Sequence, residues 1–385
     1  MLTHDGILSQ PKVSIGHKLL HLHWIYVILL TLTASIGFAM LFSAAGGDFD
    51  PWASRQMVRF GIGVVGMIIV AVIDIRFWLR YAYGFYFVVL ALLVAVEIAG
   101  FVGMGAQRWI SFGIFNVQPS ELMKVAMVLA LARYFHGGSI EDVGRIFFLV
   151  PPLVMVVVPA VLIIRQPDLG TTLMLVLASV AMFFAAGVRM WKFILAGVIG
   201  LISAPVAWFT ILRDYQKQRI LTFINPETDT LGSGYHIIQS KIALGSGGMF
   251  GKGFMQGTQS HLNFLPEKQT DFIFTMLAEE FGLVGGLTLV ALYILLLAYG
   301  YVISMSSRNH FGRLVGIGVI VTFFLYIFIN IAMVMGLIPV VGVPLPLVSY
   351  GGTAMLTLLF GFGLLLNVHI HREMTIGRRD SGDEF

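Results

Sequence analysis

Trp24-Ile25-Tyr26-Val27-Ile28-Leu29-Leu30-Thr31-Leu32-Thr33-Ala34-Ser35-Ile36-Gly37-Phe38-Ala39-Met40-Leu41-Phe42 runs without a single charge. About 20 apolar residues cross the hydrocarbon layer of a bilayer as a helix, so this stretch reads as a membrane span. Mixed residues with Lys12 and Lys18 precede it, and Ser43-Ala44-Ala45 behind it mimics a cleavage site. The run is long for the core of a signal peptide, and an uncleaved anchor is expected. Outward from it lie nine further apolar runs, at about Met57–Ile73, Ala82–Val102, Glu121–Tyr134, Phe147–Ile164, Leu169–Val188, Phe193–Leu212, Phe281–Ile303, Leu314–Val334 and Thr353–Val368. The fourth is short unless it tilts or borrows its flanks.

Composition agrees. Of 385 residues 58% are hydrophobic and 11% charged, where a soluble domain carries about 25% charged. Mean hydropathy is +0.89. About 220 apolar side chains suffice for about ten spans. The expected fold is therefore all-α and polytopic, a single transmembrane domain over residues 1–385. A soluble enzyme, a nucleic-acid binder and a single-span receptor with a large ectodomain are excluded. There is no cysteine, which removes disulfides, thiol nucleophiles and cysteine metal sites. The net charge of +4 is the excess that cytoplasmic anchoring residues usually supply.

Sidedness comes from the connections. With the N-terminus inside, the cytoplasmic segments hold Lys12, Lys18, Arg76, Arg80, Arg133, Arg145, Arg189, Lys192, Arg308, Arg313, Arg372, Arg378 and Arg379. The short outer segments hold only Arg55, Arg59, Arg108 and Arg165. The asymmetry predicts both termini in the cytoplasm. The segment from about Arg213 to Asp271 is then a large extracytoplasmic loop between spans seven and eight. Its Arg213, Lys217, Arg219, Lys241, Lys252 and Lys268 are nearly balanced by Asp214, Glu227, Asp229, Glu267 and Asp271. Any anion recognition there must be local.

Ionisable groups at membrane depth are costly and mark candidate sites. Gln118-Pro119-Ser120-Glu121-Leu122-Met123-Lys124 opens span four, with Glu121 and Lys124 on one helical face and able to pair. A helix cap plus one ion pair joining two helices explains these residues equally well. Asp271, in Pro266-Glu267-Lys268-Gln269-Thr270-Asp271-Phe272, is either the N-cap that its spacing favours or a carboxylate at the mouth of a cavity, and the two are compatible. Glu279 and Glu280 are expected to be interfacial charges. Val343-Pro344-Leu345-Pro346-Leu347-Val348-Ser349-Tyr350-Gly351-Gly352 reads as a tight re-entrant turn. Gln118-Pro119-Ser120 is echoed by Gln166-Pro167-Asp168, each opening a span on the outer side. The helix N-termini after Gln118, Gln166 and Ser349 should direct partial positive charge outward, which favours anions.

Other motifs fail. In Gly245-Ser246-Gly247-Gly248-Met249-Phe250-Gly251-Lys252-Gly253 Phe250 breaks the dinucleotide spacing, and a P-loop would need Gly at 246 and Ser or Thr at 253. His21/His23 and His369/His371 are expected at interfaces, not as metal ligands. Glu97 is expected to pair within the bundle.

Taken together, Gly234-Tyr235-His236-Ile237-Ile238-Gln239-Ser240-Lys241, Thr258-Gln259-Ser260, Phe264-Leu265-Pro266-Glu267, Thr270-Asp271-Phe272-Ile273-Phe274, Gln118-Pro119-Ser120-Glu121, Gln166-Pro167-Asp168-Leu169-Gly170 and Pro346-Leu347-Val348-Ser349-Tyr350-Gly351-Gly352 resemble the SEDS family (shape, elongation, division and sporulation). The resemblance covers nearly the whole chain, in order. Gln256-Gly257-Thr258-Gln259-Ser260 looks like the elongation branch more than the division branch. One departure is Gln269, where many relatives have histidine; no role is assigned to it.

The resemblance implies a peptidoglycan glycosyltransferase of the bacterial cytoplasmic membrane that polymerises lipid II at the outer, periplasmic face. It implies a class B penicillin-binding protein as transpeptidase partner, together with other elongation-complex proteins; no transpeptidase serine motif is present here. Asp271 matches the family's essential aspartate, and Glu121 and Lys124 match its Glu-x-x-Lys pair. Chemically, a lipid-linked donor needs no nucleotide-binding domain. Its pyrophosphate leaving group needs positive charge or hydrogen-bond donors. Arg108, Lys124, Lys268 and the helix N-termini are candidates, with a divalent cation, magnesium or manganese, as another. Gln118, Ser120, Gln166 and Ser349 are candidate cavity residues. Inversion from an α donor to a β-1,4 product needs one base, assigned to Asp271, with Glu121 and Lys124 shaping the cavity. A lipid II flippase and a non-enzymatic scaffold are the alternatives.

Overall fold

The computed structural model describes residues 15–377, apart from 104, 105, 112, 114, 115, 211, 213, 230, 231, 263 and 266. Lys12, Arg378 and Arg379 of the sidedness count, Arg213 of the loop charge, and Pro266 of the motif lie outside the described residues.

The helices, in order, are α1 (Ile15–Leu20), α2 (Trp24–Ala44), α3 (Ala53–Val72), α4 (Ile75–Ala99), α5 (Pro119–His136), α6 (Ile140–Val143), α7 (Ile146–Arg165), α8 (Leu169–Ala185), α9 (Met190–Thr210), α10 (Asp214–Ile224), α11 (Ser233–Ser246), α12 (Thr258–His261), α13 (Ile273–Ser306), α14 (His310–Val334) and α15 (Gly352–Ile370). Each of the ten apolar runs is a helix. Among the described residues seven of these helices are long and apolar enough to cross a membrane: α2, α3, α4, α7, α13, α14 and α15. The chain is a multi-pass membrane protein.

Two helices mark the extremes of environment. In α5 all residues but Leu122, Arg133 and Tyr134 are buried, so the short fourth run is the central helix, surrounded by α4, α8 and α14. Its three alanines, Ala126, Ala130 and Ala132, let those neighbours approach closely. In α9 no described residue is buried, and Ile194, Ile199, Ile202 and Phe209 face outward. Such a surface is stable only with lipid as its solvent.

An expected apolar stretch proved to be something else. The third expected span is α4, which begins at Ile75 and ends before Gly100, not at Val102. Phe101–Gly103 (β1), Ala106–Ser111 (β2) and Asn116–Val117 (β3) form a small antiparallel sheet in the order β1-β2-β3. Gly100, in an extended conformation, turns the chain from helix into ribbon. The long loop has its own structure, in α10, the 3-10 turn Pro226–Thr228, α11 and α12.

The basic residues counted as cytoplasmic gather at one end of the bundle. Lys18 Nζ donates to Val72 O at 2.8 Å, Arg133 to Arg80 O, and Lys192 Nζ to Gly144 O at 3.0 Å. Arg308 pairs with Glu373 at 3.0 Å. His23 and His369 lie ring against ring, 5.2 Å between centroids. At the other end Glu97 meets Arg165 at 3.5 Å, joining α4 to α7.

α13 is two helices joined across a kink at Gly282, with φ 66° and ψ −161°, a region only glycine occupies readily. A break inside a membrane span leaves peptide groups unpaired unless protein supplies partners. The glycine-rich segment supplies them. Lys252 N and Gly253 N donate to Glu279 O and Glu280 O at 3.0 Å each, and Leu283 N and Val284 N donate to Gly248 O at 2.9 Å and Met249 O at 3.1 Å. The stretch that failed as a nucleotide loop is thus the splint of a broken helix.

Candidate active site

Asp271 lies in the turn that leads into α13. Its expected role as N-cap is not what the structure contains: the helix starts at Ile273, its cap position is Phe272, and no side chain caps it. The turn is closed by Thr270 N on Glu267 O at 3.0 Å and Phe272 N on Glu267 O at 3.4 Å. Three consecutive carbonyls of this turn are held from outside it. Gln269 O accepts from Tyr350 N at 2.8 Å, Thr270 O from Ser349 Oγ at 2.5 Å, and Asp271 O from Asn330 Nδ2 at 2.9 Å.

The Asp271 side chain is partly buried, and loss of water pushes its pKa up to about 6. Glu267 adds to the rise, while the positive charges of Arg219 and Arg108 oppose it. Gly342, at φ +72°, faces the carboxyl; a Cβ there would stand 3.3 Å from Asp271 Oδ2. Asp271 thus sits among groups from five places in the chain: its own turn, α10, β2, α14 and the loop before α15.

Glu121 and Lys124 pair as their spacing predicts, at 2.7 Å and both buried. A third member was not anticipated. Tyr326 of α14 donates its hydroxyl hydrogen to Glu121, the Lys124 ammonium reaches the same hydroxyl, and Lys124 Nζ lies 4.2 Å from the Tyr326 ring centroid. Small crevices open on both sides of Tyr326. One is lined by Pro344, Leu345, Ser349, Gly351 and Met355, the other by Lys124, Thr322, Thr357 and Gly361. Tyr326 and Asn330 are one helical turn apart, so one face of α14 touches both the ion pair and the Asp271 turn.

The other candidates form a collar. The two Gln-Pro motifs meet: Gln118 Nε2 donates to Asp168 Oδ2 and to Ser120 Oγ, each at 3.1 Å. Asp168 caps α8 through Thr171 N at 3.2 Å, so that helix N-terminus already holds a carboxylate. Pro119 is the first residue of α5, and Ser120 is buried inside the helix rather than capping it. Arg108 Nε donates to Gln166 O at 3.0 Å, and its guanidinium also reaches Pro167 O. Gln166 Nε2 donates to Leu93 O at 3.1 Å. Ser349 Oγ, besides holding Thr270 O, accepts from Leu345 N at 2.8 Å. Lys268 Nζ donates to Ser260 O at 2.9 Å, and burial pulls its pKa down. Arg59, from α3, stacks over Tyr350 at 4.9 Å beside the start of α15.

Glu279 and Glu280 are not interfacial. They are 0% and 1% exposed. Glu279 accepts from Lys252 Nζ at 2.8 Å, Gln259 N at 2.9 Å and Ser260 Oγ at 3.0 Å. Glu280 accepts from Ser43 Oγ at 2.5 Å and lies 3.3 Å from His261 Nε2. Glu279 is thus buried against the loop, and Glu280 between α2 and α12. Among the described residues no group of three or more His, Asp or Glu side chains could hold a metal ion.

Residues 22–374 match the family of FtsW, RodA and SpoVE, described as cell cycle proteins. The chain is 43% identical over 354 residues to the peptidoglycan glycosyltransferase MrdB of Escherichia coli K12, covering 90% of this chain and 94% of that protein. It is 39% identical over 354 residues to the stage V sporulation protein E of Bacillus subtilis, covering 89% and 95%. In three dimensions it is similar to a chain from a peptidoglycan synthase complex whose structure concerns the coordination of polymerization and crosslinking, with a TM-score of 0.79 and 32% identity over 91% of this chain and 98% of that one. It is also similar to the crystal structure of the rod shape determining protein RodA of Thermus thermophilus, with a TM-score of 0.69, 28% identity and coverage of 92% and 98%. The chain belongs to the FtsW, RodA and SpoVE family, the SEDS family that its motifs resemble.

Proposed function

We propose that this protein is a peptidoglycan glycosyltransferase that polymerises lipid II into glycan strands for cell elongation, with Asp271 as general base. The acceptor sugar hydroxyl gives its proton to the Asp271 carboxylate as its oxygen attacks the anomeric carbon of the donor. The bond from that carbon to the diphosphate breaks as the new glycosidic bond forms, and configuration inverts in one displacement. The observation that carries this assignment is the Asp271 carboxyl itself: partly buried, pushed up to about 6, and mounted on a turn fixed at three carbonyls. A base with a pKa just below the working pH is ionised yet still accepts a proton well.

Arg108 and Lys268 would offset the charge that develops on the diphosphate. Glu121, Lys124 and Tyr326 brace α5 against α14 under the site, with Gln118, Ser120, Gln166 and Ser349 shaping its rim. A divalent cation, magnesium or manganese, would have to arrive on the substrate's own diphosphate, since among the described residues no group of three acidic or histidine side chains could hold one; chelation of the purified enzyme tests it. The active face is the periplasmic side of the cytoplasmic membrane, as the distribution of basic residues supports. The partner is a class B penicillin-binding protein with the other elongation-complex proteins, in keeping with the synthase complex to which this fold is similar.

The test uses purified protein with its transpeptidase partner and labelled lipid II. Asp271→Asn should fold and bind the partner normally but make no polymer, a loss of about 10²–10⁴ in rate. Normal polymer from that variant would overturn the assignment of the base. Lipid scrambling in vesicles without polymer from the wild type would indicate a transporter, and neither activity would indicate a scaffold.

A further inference from the structure

We propose that Asn330 is a positioning residue, which sets the Asp271 carboxyl by holding both walls of the space it occupies. The inference rests on Asp271 acting as the base. Asn330 is wholly buried in an otherwise apolar stretch, Tyr326-Ile327-Phe328-Ile329-Asn330-Ile331-Ala332. An amide at membrane depth is costly unless its groups are bonded, and here half of it is not: Oδ1 is buried without a hydrogen-bond partner. What the amide supplies is a double donor. Nδ2 gives one hydrogen to Asp271 O at 2.9 Å and the other to Val343 O at 2.7 Å.

Those two carbonyls belong to the two sides of the carboxyl. The first fixes the backbone that carries it. The second fixes the residue next to Gly342, at which an added Cβ would stand 3.3 Å from Asp271 Oδ2, so the glycine leaves room for the carboxyl. One planar group therefore ties the base to the surface it faces. Ser349 and Tyr350 hold the preceding carbonyls to the same loop, and Asn330 bridges Asp271 and Val343 directly. The charges acting on the carboxyl come from Glu267 on its own turn, Arg219 on α10 and Arg108 on β2. Asn330 is neutral, so any change it makes in the titration of Asp271 acts through geometry.

The experiment measures polymerisation of labelled lipid II by the purified complex with its partner, across pH 5 to 8. The variants are Asn330→Leu, which keeps the branched shape and loses both donors, and Asn330→Ser, Asp271→Asn and Asn367→Leu. Asn367 serves as control because its amide also holds carbonyls, Ala71 O at 3.0 Å among them, at the opposite end of the bundle. Positioning predicts that Asn330→Leu lowers kcat by about tenfold to a hundredfold, leaves KM within about twofold, and displaces the acidic limb of the pH–rate profile. Asn367→Leu should lower thermal stability and leave that limb in place. If Asn330→Leu yields no folded protein, Asn330→Ser is judged by the same limb. An unmoved limb, whatever the loss of rate or yield, overturns the positioning role while an inactive Asp271→Asn leaves the base intact. An active Asp271→Asn overturns both.

Discussion

Asp271 and Glu279 stand eight residues apart at the start of one helix, and the protein treats them in opposite ways. Glu279 is held by its carboxylate: Lys252, Thr258, Gln259 and Ser260 all donate to it, and it is 0% exposed. Asp271 is held by its backbone, through Asn330, while its carboxyl faces Gly342 and carries a raised pKa. A carboxylate surrounded by donors is a fastener, since every donor favours the charged form and discourages proton uptake. A carboxylate gripped from behind, with burial working against its charge, is free to exchange a proton without moving. Two acids of similar sequence context thus divide into anchor and base.

The contrast can be broken, most forcefully at the joint between the two helical pieces. Gly282→Ala would force a side chain into φ 66° with its Cβ 2.4 Å from Gly251 N. No folded protein is expected in detergent gel filtration; a monodisperse peak would show that the splint does not depend on the break. Next comes Glu279→Ala, which strands the Lys252 ammonium and the loop amides. Breaking a buried pair in this way costs about 3–5 kcal/mol, and a large fall in melting temperature should follow. If that variant instead kept its melting temperature and lost only activity, the division into anchor and base would be wrong. Lys124→Met, which leaves Glu121 uncompensated beneath the site, should cost a similar amount. The double variant Glu121→Gln/Lys124→Met should recover at least about 1 kcal/mol of it, because neither charge is then left alone.

A smaller effect sharpens the contrast. With Asp271 titrating at about 6, polymerisation should rise about tenfold per pH unit below that value and level off above it. A profile flat from pH 5 to 8 would exclude Asp271 as the group that must be ionised. The smallest effect concerns stability. A carboxyl whose pKa is raised on folding, from its ordinary 3.8 to about 6, costs the folded state stability as pH rises between those values. Asp271→Asn should therefore melt higher than wild type at neutral pH, by an amount on the order of 1 kcal/mol after allowance for partial exposure. The difference should vanish below about pH 4.

Lipid makes much of this fold legible from sequence, because a span must be helical and apolar throughout. All ten runs are helices, and the Glu121–Lys124 pair follows from helical spacing alone. What escaped depends on partners distant in sequence. Nothing local distinguishes Tyr326 from other aromatic residues of α14, since its meaning comes from Glu121, 205 positions away. Asn330 did leave a signal, an amide in mid-span, but a neutral group at membrane depth marks a site less sharply than an ionisable one. The ribbon from Phe101 was absorbed into span three because hydropathy continues past the Gly100 turn. Glu279 and Glu280 looked interfacial because a straight helix would carry them there. The break at Gly282 and the folded loop instead bring donors to them.

The splint has a measurable signature in time as well as in space. Gly247–Gly253 has the composition of a flexible linker, yet its Lys252 and Gly253 amide hydrogens are engaged on the broken helix. Amides released only by sub-global opening exchange slowly. Deuterium should enter these two sites about as slowly as the core of the bundle, and a glycine-rich segment should rank among the last parts of the outer surface to be labelled.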